Sequence, residues 1–148
     1  MDAAKPHAKN LRKGRVSLPN QIYLVTAVTA LRAPHFAVFT NARLAVRCFH
    51  DKGVEHQAHT LAFVVMPDHI HWLLQVKEGG NLSSVVRLYK AKVSLLLGQQ
   101  IWQRGFHDHA LRDDEDLRGI ARYIIANSLR SGLVKSIGDY PHWDAIWL

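Results

Sequence analysis

The run Met66 to Trp72 places two imidazoles, His69 and His71, two residues apart. On an extended chain, side chains alternate faces. His69 and His71 therefore point the same way, about 7 Å apart at roughly 3.3 Å per residue, and Ile70 and Trp72 point the other way. Two imidazoles at that spacing can share one metal ion. The same pattern suits two polar residues on a half-wetted strand. Further along, Tyr123 and Asn127 are four residues apart, which stacks them on one face of a helix beside Ile120. A polar pair at the edge of an apolar stripe could belong to a functional site. A tyrosine at the edge of an apolar stripe can equally keep its hydroxyl in water, and an asparagine near a helix end can close a turn.

Those side chains need a frame. Residues 1–19 are polar and basic and read as an arm ending at Pro19. Ile22 to Thr29 alternates and is rich in β-branched residues, which predicts a strand. Asn41 is placed to cap a helix that runs to about Lys52 and stops at Gly53. Gln57 to Met66 and His69 to Val76 read as two strands, and Pro67-Asp68 between them predicts an antiparallel hairpin. Asn81 caps a helix over Leu82 to Leu97, whose apolar stripe ends at Gly98. Residues 100–111 read as short strand or loop segments. Asp113 is placed to cap a last helix, with Leu117, Ile120, Ala121, Ile124 and Ile125 as its buried stripe, fraying by Gly132. Trp143 and Trp147 in the tail should pack on the body. The order β, α, β, β, α, β, α predicts one α+β domain over 1–148: a ferredoxin-like antiparallel sheet with helices on one face and an added C-terminal helix.

Composition narrows the partners. The chain has 148 residues, 48% hydrophobic and 21% charged, which suits a folded domain rather than a disordered one. Nineteen Lys and Arg against twelve Asp and Glu give a net charge of +7, a balance that favours polyanions and nucleic acid above all. The single cysteine, Cys48, excludes an internal disulfide and a cysteine-rich zinc knuckle. No apolar run reaches the roughly 18 residues of a membrane span, and no secretory signal opens the chain, so the expected compartment is the cytoplasm. Arg87 and Lys90 on the second long helix, Arg104 beyond it, and Arg122 and Arg130 on or beyond the last helix are candidate phosphate contacts. Trp102, Phe106 and His107 flank Arg104, a mixture of charge and ring faces suited to unstacked bases.

Taken together, these blocks resemble a known family. Met66 to Leu74 resembles the HUH signature (histidine, bulky apolar residue, histidine) of single-strand-specific DNA nucleases. Trp102 to Arg112 and Arg122 to Val134 are similar to the following blocks of the REP-associated tyrosine transposases, and Arg15 to Pro19 and Tyr23 to Thr26 to their opening strand. The likeness runs in order over about residues 12–147. It implies an HUH nuclease fold with a tyrosine-bearing C-terminal helix. It implies Tyr123 as nucleophile, with His69, His71 and Asn127 as ligands of a divalent Mg²⁺ or Mn²⁺. The implied partner is single-stranded DNA beside a hairpin-forming repetitive extragenic palindrome, with a guide sequence read by the arm through Arg12 and Arg15. The implied protein is a bacterial, nucleoid-associated monomer whose helix and histidines meet in cis. Where the family has proline after the asparagine and alanine before the glycine, this chain has Ser128 and Ser131. Where the family often has asparagine before the first histidine, it has Asp68, suited to accept an imidazole N–H.

The implied chemistry is in-line attack of the phenol oxygen on phosphorus, giving a 5′-phosphotyrosine link and a free 3′-hydroxyl. Two other readings use the same residues. One is a non-catalytic nucleic-acid-binding module on a ferredoxin-like sheet. The other is a small zinc hydrolase on His69 and His71 with Tyr123 as an acid.

Overall fold

The computed structural model describes residues 20–113 and 115–147. Arg12 and Arg15, and the arm they belong to, lie outside the described residues. Among the described residues, five strands form one antiparallel sheet: β1 (Ile22–Val28), β2 (Ala58–Met66), β3 (His69–Val76), β4 (His107–Ala110) and β5 (Trp143–Ala145), in spatial order β4-β1-β3-β2-β5. The α-helices among the described residues are α1 (Phe39–Cys48), α2 (Lys52–Gln57), α3 (Leu82–Leu97), α4 (Leu117–Ile125) and the single turn α5 (Asn127–Arg130). No helix among the described residues is long and apolar enough to cross a membrane.

The period-two pattern of the central strands builds both layers of the molecule. Val25, Ala27, Phe63, Val65, Ile70, Trp72 and Leu74 face one side, where they meet the stripes of α1 and α3. Phe49, just past α1, stacks on Phe63 at 4.2 Å and on Tyr89 of α3 at 4.4 Å between ring centroids, with Trp72 edge-on at 5.1 Å. The Tyr89 hydroxyl donates to the Ala45 carbonyl, and Trp72 Nε1 donates to Thr60, so the two polar handles buried with these rings are satisfied. The opposite face carries Leu61, Val64, Met66 and Leu73, and Ala121, Ile124 and Ile125 of α4 pack there with Tyr140. The added helix thus lies across the sheet from the other two long helices.

Two helix starts differ from the expectation. Helix α1 begins at Phe39, and Asn41 lies inside it, its side-chain N–H₂ donating back to the His35 carbonyl at 2.9 Å. It ends at Cys48, because the Asp51 carboxylate accepts the N–H groups of Gly53 and Val54 and starts α2 as a separate helix. At the other end of the chain, Asp116 rather than Asp113 caps α4, accepting the Gly119 N–H at 3.0 Å. The Glu115 carboxylate accepts the Arg112 N–H and pairs with His109 of β4, which commits the preceding residues to a turn. Helix α3 has the predicted bounds, with Asn81 capping the Ser84 N–H and Gly98 at φ 76° ending it.

Phe49→Ala should remove the ring joining α1, α3 and the sheet. Core Phe→Ala changes cost about 3–5 kcal/mol. Urea unfolding should show the midpoint falling by that equivalent without a change in far-ultraviolet dichroism.

Candidate active site

The site grows from the centre of the sheet. Strand β3 pairs on both sides, so His69 lies between Val28 and Met66, and His71 between Thr26 and Val64. Both imidazoles face the α4 side, since Ile70 and Trp72 between and beyond them are in the opposite core. Their ring centroids are 4.9 Å apart and nearly perpendicular, at 80°.

Each ring is held through Nδ1. His69 Nδ1 lies 2.7 Å from Asp68 Oδ1, and His71 Nδ1 lies 2.9 Å from Thr26 Oγ1. Nδ1–H donation to these oxygens would leave Nε2 of each ring as the nitrogen able to bind a metal. Asp68 is braced in turn by Arg32, 3.4 Å away. Partial burial opposes its ionisation, but the hydrogen bond and charge of His69, with Arg32, outweigh that and hold its carboxyl below the usual range. Burial, reinforced by His69 and then Arg130, pushes the His71 imidazole down to about 4, so His71 is neutral at pH 7.

The turn carrying Asp68 is anchored by Thr29, which is fully buried. Its N–H and its hydroxyl both donate to the Asp68 carbonyl, at 2.9 and 3.0 Å. The chain then bends through Leu31 and Arg32 at φ 58° and 55°, a left-handed conformation that non-glycine residues adopt at a cost of about 1–3 kcal/mol each. That bend delivers Arg32 to Asp68. Thr26, Thr29 and Arg32 are therefore parts of the site that the motif did not mark. The signal for Thr26 was its place on the wetted face of β1, but only the strand register sets it opposite His71.

The last helix brings the other candidates to the same side. Tyr123 is 65% exposed on α4, while Ala121, Ile124 and Ile125 hold the helix to the sheet. The Arg130 guanidinium lies 3.8 Å from the centre of the Tyr123 ring, and its Nη2 donates to Asn127 Oδ1 at 2.9 Å. Arg130 also contributes its charge at His71. One guanidinium thus links the phenol ring, the amide and the field at the buried imidazole. The helix breaks at Ala126, between Tyr123 and Asn127, so these two are carried on successive helices rather than one continuous one. Ser128 is buried and Ser131 Oγ donates to the Asn127 carbonyl at 2.8 Å, so the two serines pin α5 before Gly132 turns the chain at φ 79°.

The remaining basic candidates are dispersed. Arg122 is exposed and within 3.9 Å of Asp116. Arg87, Lys90 and Arg104 lie around α3, on the other side of the sheet. Two of the Lys90 donors go to the Gln103 and Gly105 carbonyls, at 3.0 and 2.8 Å. Cys48 is buried, and burial pushes its thiol up to about 11, which fits a packing role.

Because the His71 pKa lies below its unfolded value near 6.5, the unfolded chain gains a proton that the folded one refuses as pH falls from about 6.5 to 4. His142, depressed by burial and Arg43, acts in the same direction. Stability of the metal-free protein should fall across that window. The fall should be shallower in His71→Gln, as read by denaturant midpoints at successive pH values. Identical slopes in the two proteins would contradict the assignment.

Comparison with known proteins bears on this site. The family described as "Transposase IS200 like" matches residues 18–127. The REP-associated tyrosine transposase of Escherichia coli (strain K12) is 37% identical over 82 residues, 54% of this chain and 50% of that protein. A Haemophilus influenzae protein provisionally assigned to the same group is 31% identical over 99 residues, 56% of each chain. The chain spans about half the length of these curated relatives. The solved structure of a REP-associated tyrosine transposase bound to a REP hairpin superposes with a TM-score of 0.71 at 27% identity, covering 87% of this chain and 79% of that one. The shared architecture is the expected HUH fold. The matched span holds both strand histidines, Tyr123 and Asn127, and the chain belongs to the IS200-like transposase family.

Proposed function

We propose that the protein cuts and rejoins single-stranded DNA beside a hairpin, through a covalent link to Tyr123. The observation that carries this reading is the convergence on one sheet face of two imidazoles, each anchored through Nδ1, and an exposed tyrosine tied to them through Arg130. Family membership and the hairpin held by the superposed relative support the same substrate class. The +7 charge suits a phosphate backbone.

A divalent cation belongs to this proposal. The donor set fits one: two imidazole Nε2 atoms with the Asn127 amide oxygen as third ligand. Among the described residues no cluster of three His, Cys, Asp or Glu offers a fuller set. This mixed and open arrangement suits Mn²⁺ or Mg²⁺. When bound, the ion would polarise a non-bridging phosphate oxygen.

The protein's own groups do the rest. Arg130 stacks on the Tyr123 ring and orients it, and exposure of the ring leaves the phenol accessible to a strand. The phenol oxygen gives up its proton and attacks phosphorus. The P–O3′ bond breaks, and the 3′-oxygen takes up a proton as it leaves. The phosphotyrosine retains the energy of the diester, so a 3′-hydroxyl can reverse the step. Helix and histidines of one chain complete the site, and a monomer suffices.

Incubation with an end-labelled hairpin oligonucleotide and Mn²⁺ or Mg²⁺ should give an adduct that survives denaturation. Tyr123→Phe should abolish it, and His71→Ala should reduce it by about 10²-fold or more. An adduct that persists in Tyr123→Phe would contradict the reading. Tight binding with no adduct in the parent protein would favour a non-catalytic hairpin-binding module.

A further inference from the structure

Across the sheet from the histidines, α3 and residues 100–106 border an open cleft of about 690 Å³. That is within the usual size of a small-ligand site. Arg87 and Lys90 line it from the helix, and Trp102, Gln103, Arg104 and Phe106 from the segment. Among the described residues no carboxylate lines it.

The cleft is a fixed structure. The Lys90 ammonium holds the Gln103 and Gly105 carbonyls, and Trp102 Nε1 donates to the Lys90 carbonyl at 3.0 Å. Trp102 bridges to Thr29, and the Gln103 N–H donates to the Val28 carbonyl at 2.9 Å. The segment is thus fastened to the end of β1, next to the bend that carries Arg32 to Asp68. Arg87 and Arg104 are exposed and form no hydrogen bond or ion pair among the described residues. Two uncommitted guanidinium groups suit phosphate oxygens. Half-buried Trp102 and Phe106 give an apolar wall for a base, and Gln103 offers both a donor and an acceptor to a base edge.

We infer that this cleft binds one unpaired nucleotide of the DNA strand whose cleavage is proposed on the opposite face. The inference rests on that functional reading for its substrate. It adds a second point of attachment, joined to the first through the Val28–Arg32 segment. A strand held in both places would pass around the β4 edge of the sheet.

The test uses the full chain, a hairpin oligonucleotide with a single-stranded flank, and a set of the same oligonucleotides carrying one abasic position each. Binding is read by fluorescence anisotropy at fixed salt. One abasic position should weaken binding to the parent protein by about tenfold, the loss expected for one stacked base. Arg87→Ala/Arg104→Ala should weaken binding of the intact oligonucleotide by at least as much and should no longer respond to that abasic position. If every abasic position binds the parent protein equally, the nucleotide site is refuted. This holds even if the double variant binds weakly, because such a loss would then be general backbone attraction. If the double variant keeps the abasic sensitivity, the site is elsewhere. Failure of the parent protein to form any adduct would overturn the cleavage proposal, while the abasic scan would still decide for or against the cleft.

Discussion

A strand paired on both sides has little freedom over which residues face which way, and β3 is such a strand. Ile70, Trp72 and Leu74 are fully buried among the rings of the α1/α3 layer. A slip of one residue would drive His69 and His71 into that apolar layer and expose Trp72. The large apolar burial on one face therefore fixes the imidazoles on the other. The rest of the site follows from that placement: Thr26 meets His71 because β1 pairs in register, and Asp68 meets His69 because the hairpin turn is clamped by Thr29.

The two faces of the sheet do different work. The α1/α3 side is a continuous aromatic and aliphatic core in which the Trp72 indole N–H and the Tyr89 hydroxyl both have partners. The α4 side is covered only in part. Ile124 and Ile125 pack in the cluster that holds Val64 and Leu73, but the next residues of the same face on β3 are the histidines, and the Arg130 that lies on the exposed Tyr123 ring acts by its charge at His71. The proposed cleavage needs Tyr123 to meet a long polymer, and this half-open face leaves its ring exposed. The cleft bordered by α3 and residues 100–106 lies across the sheet from the histidines.

Much of this was legible in the residues. Alternation in β3 and the stripe of α3 announced themselves, as did the Asn81 and Gly98 signals at the ends of that helix. The start of α4 was less legible because the run Asp113 to Asp116 offers several capping carboxylates. The choice of Asp116 depends on Glu115 being drawn to Arg112 and His109. Asn41 has the residue type of a cap, but its amide is tied to the His35 carbonyl, in a turn where Phe36 is buried and its N–H donates to the Pro67 carbonyl. Of the site, the histidines and the tyrosine stood out by type and spacing. The charge of Arg130 marks it as a candidate phosphate contact, but nothing in its spacing reveals a guanidinium stacked on Tyr123. Lys90 is marked in the same way, and its binding to loop carbonyls is a tertiary fact.

The central claim is that the phenol on the last helix and the imidazoles on β3 serve one cation. Paramagnetic broadening in a chelator-treated sample titrated with Mn²⁺ measures it most directly. The account predicts that side-chain signals of His69, His71, Asn127 and Tyr123 broaden together as a single saturable site fills. Broadening confined to the histidines, with the Tyr123 ring signals unchanged at saturation, would contradict it.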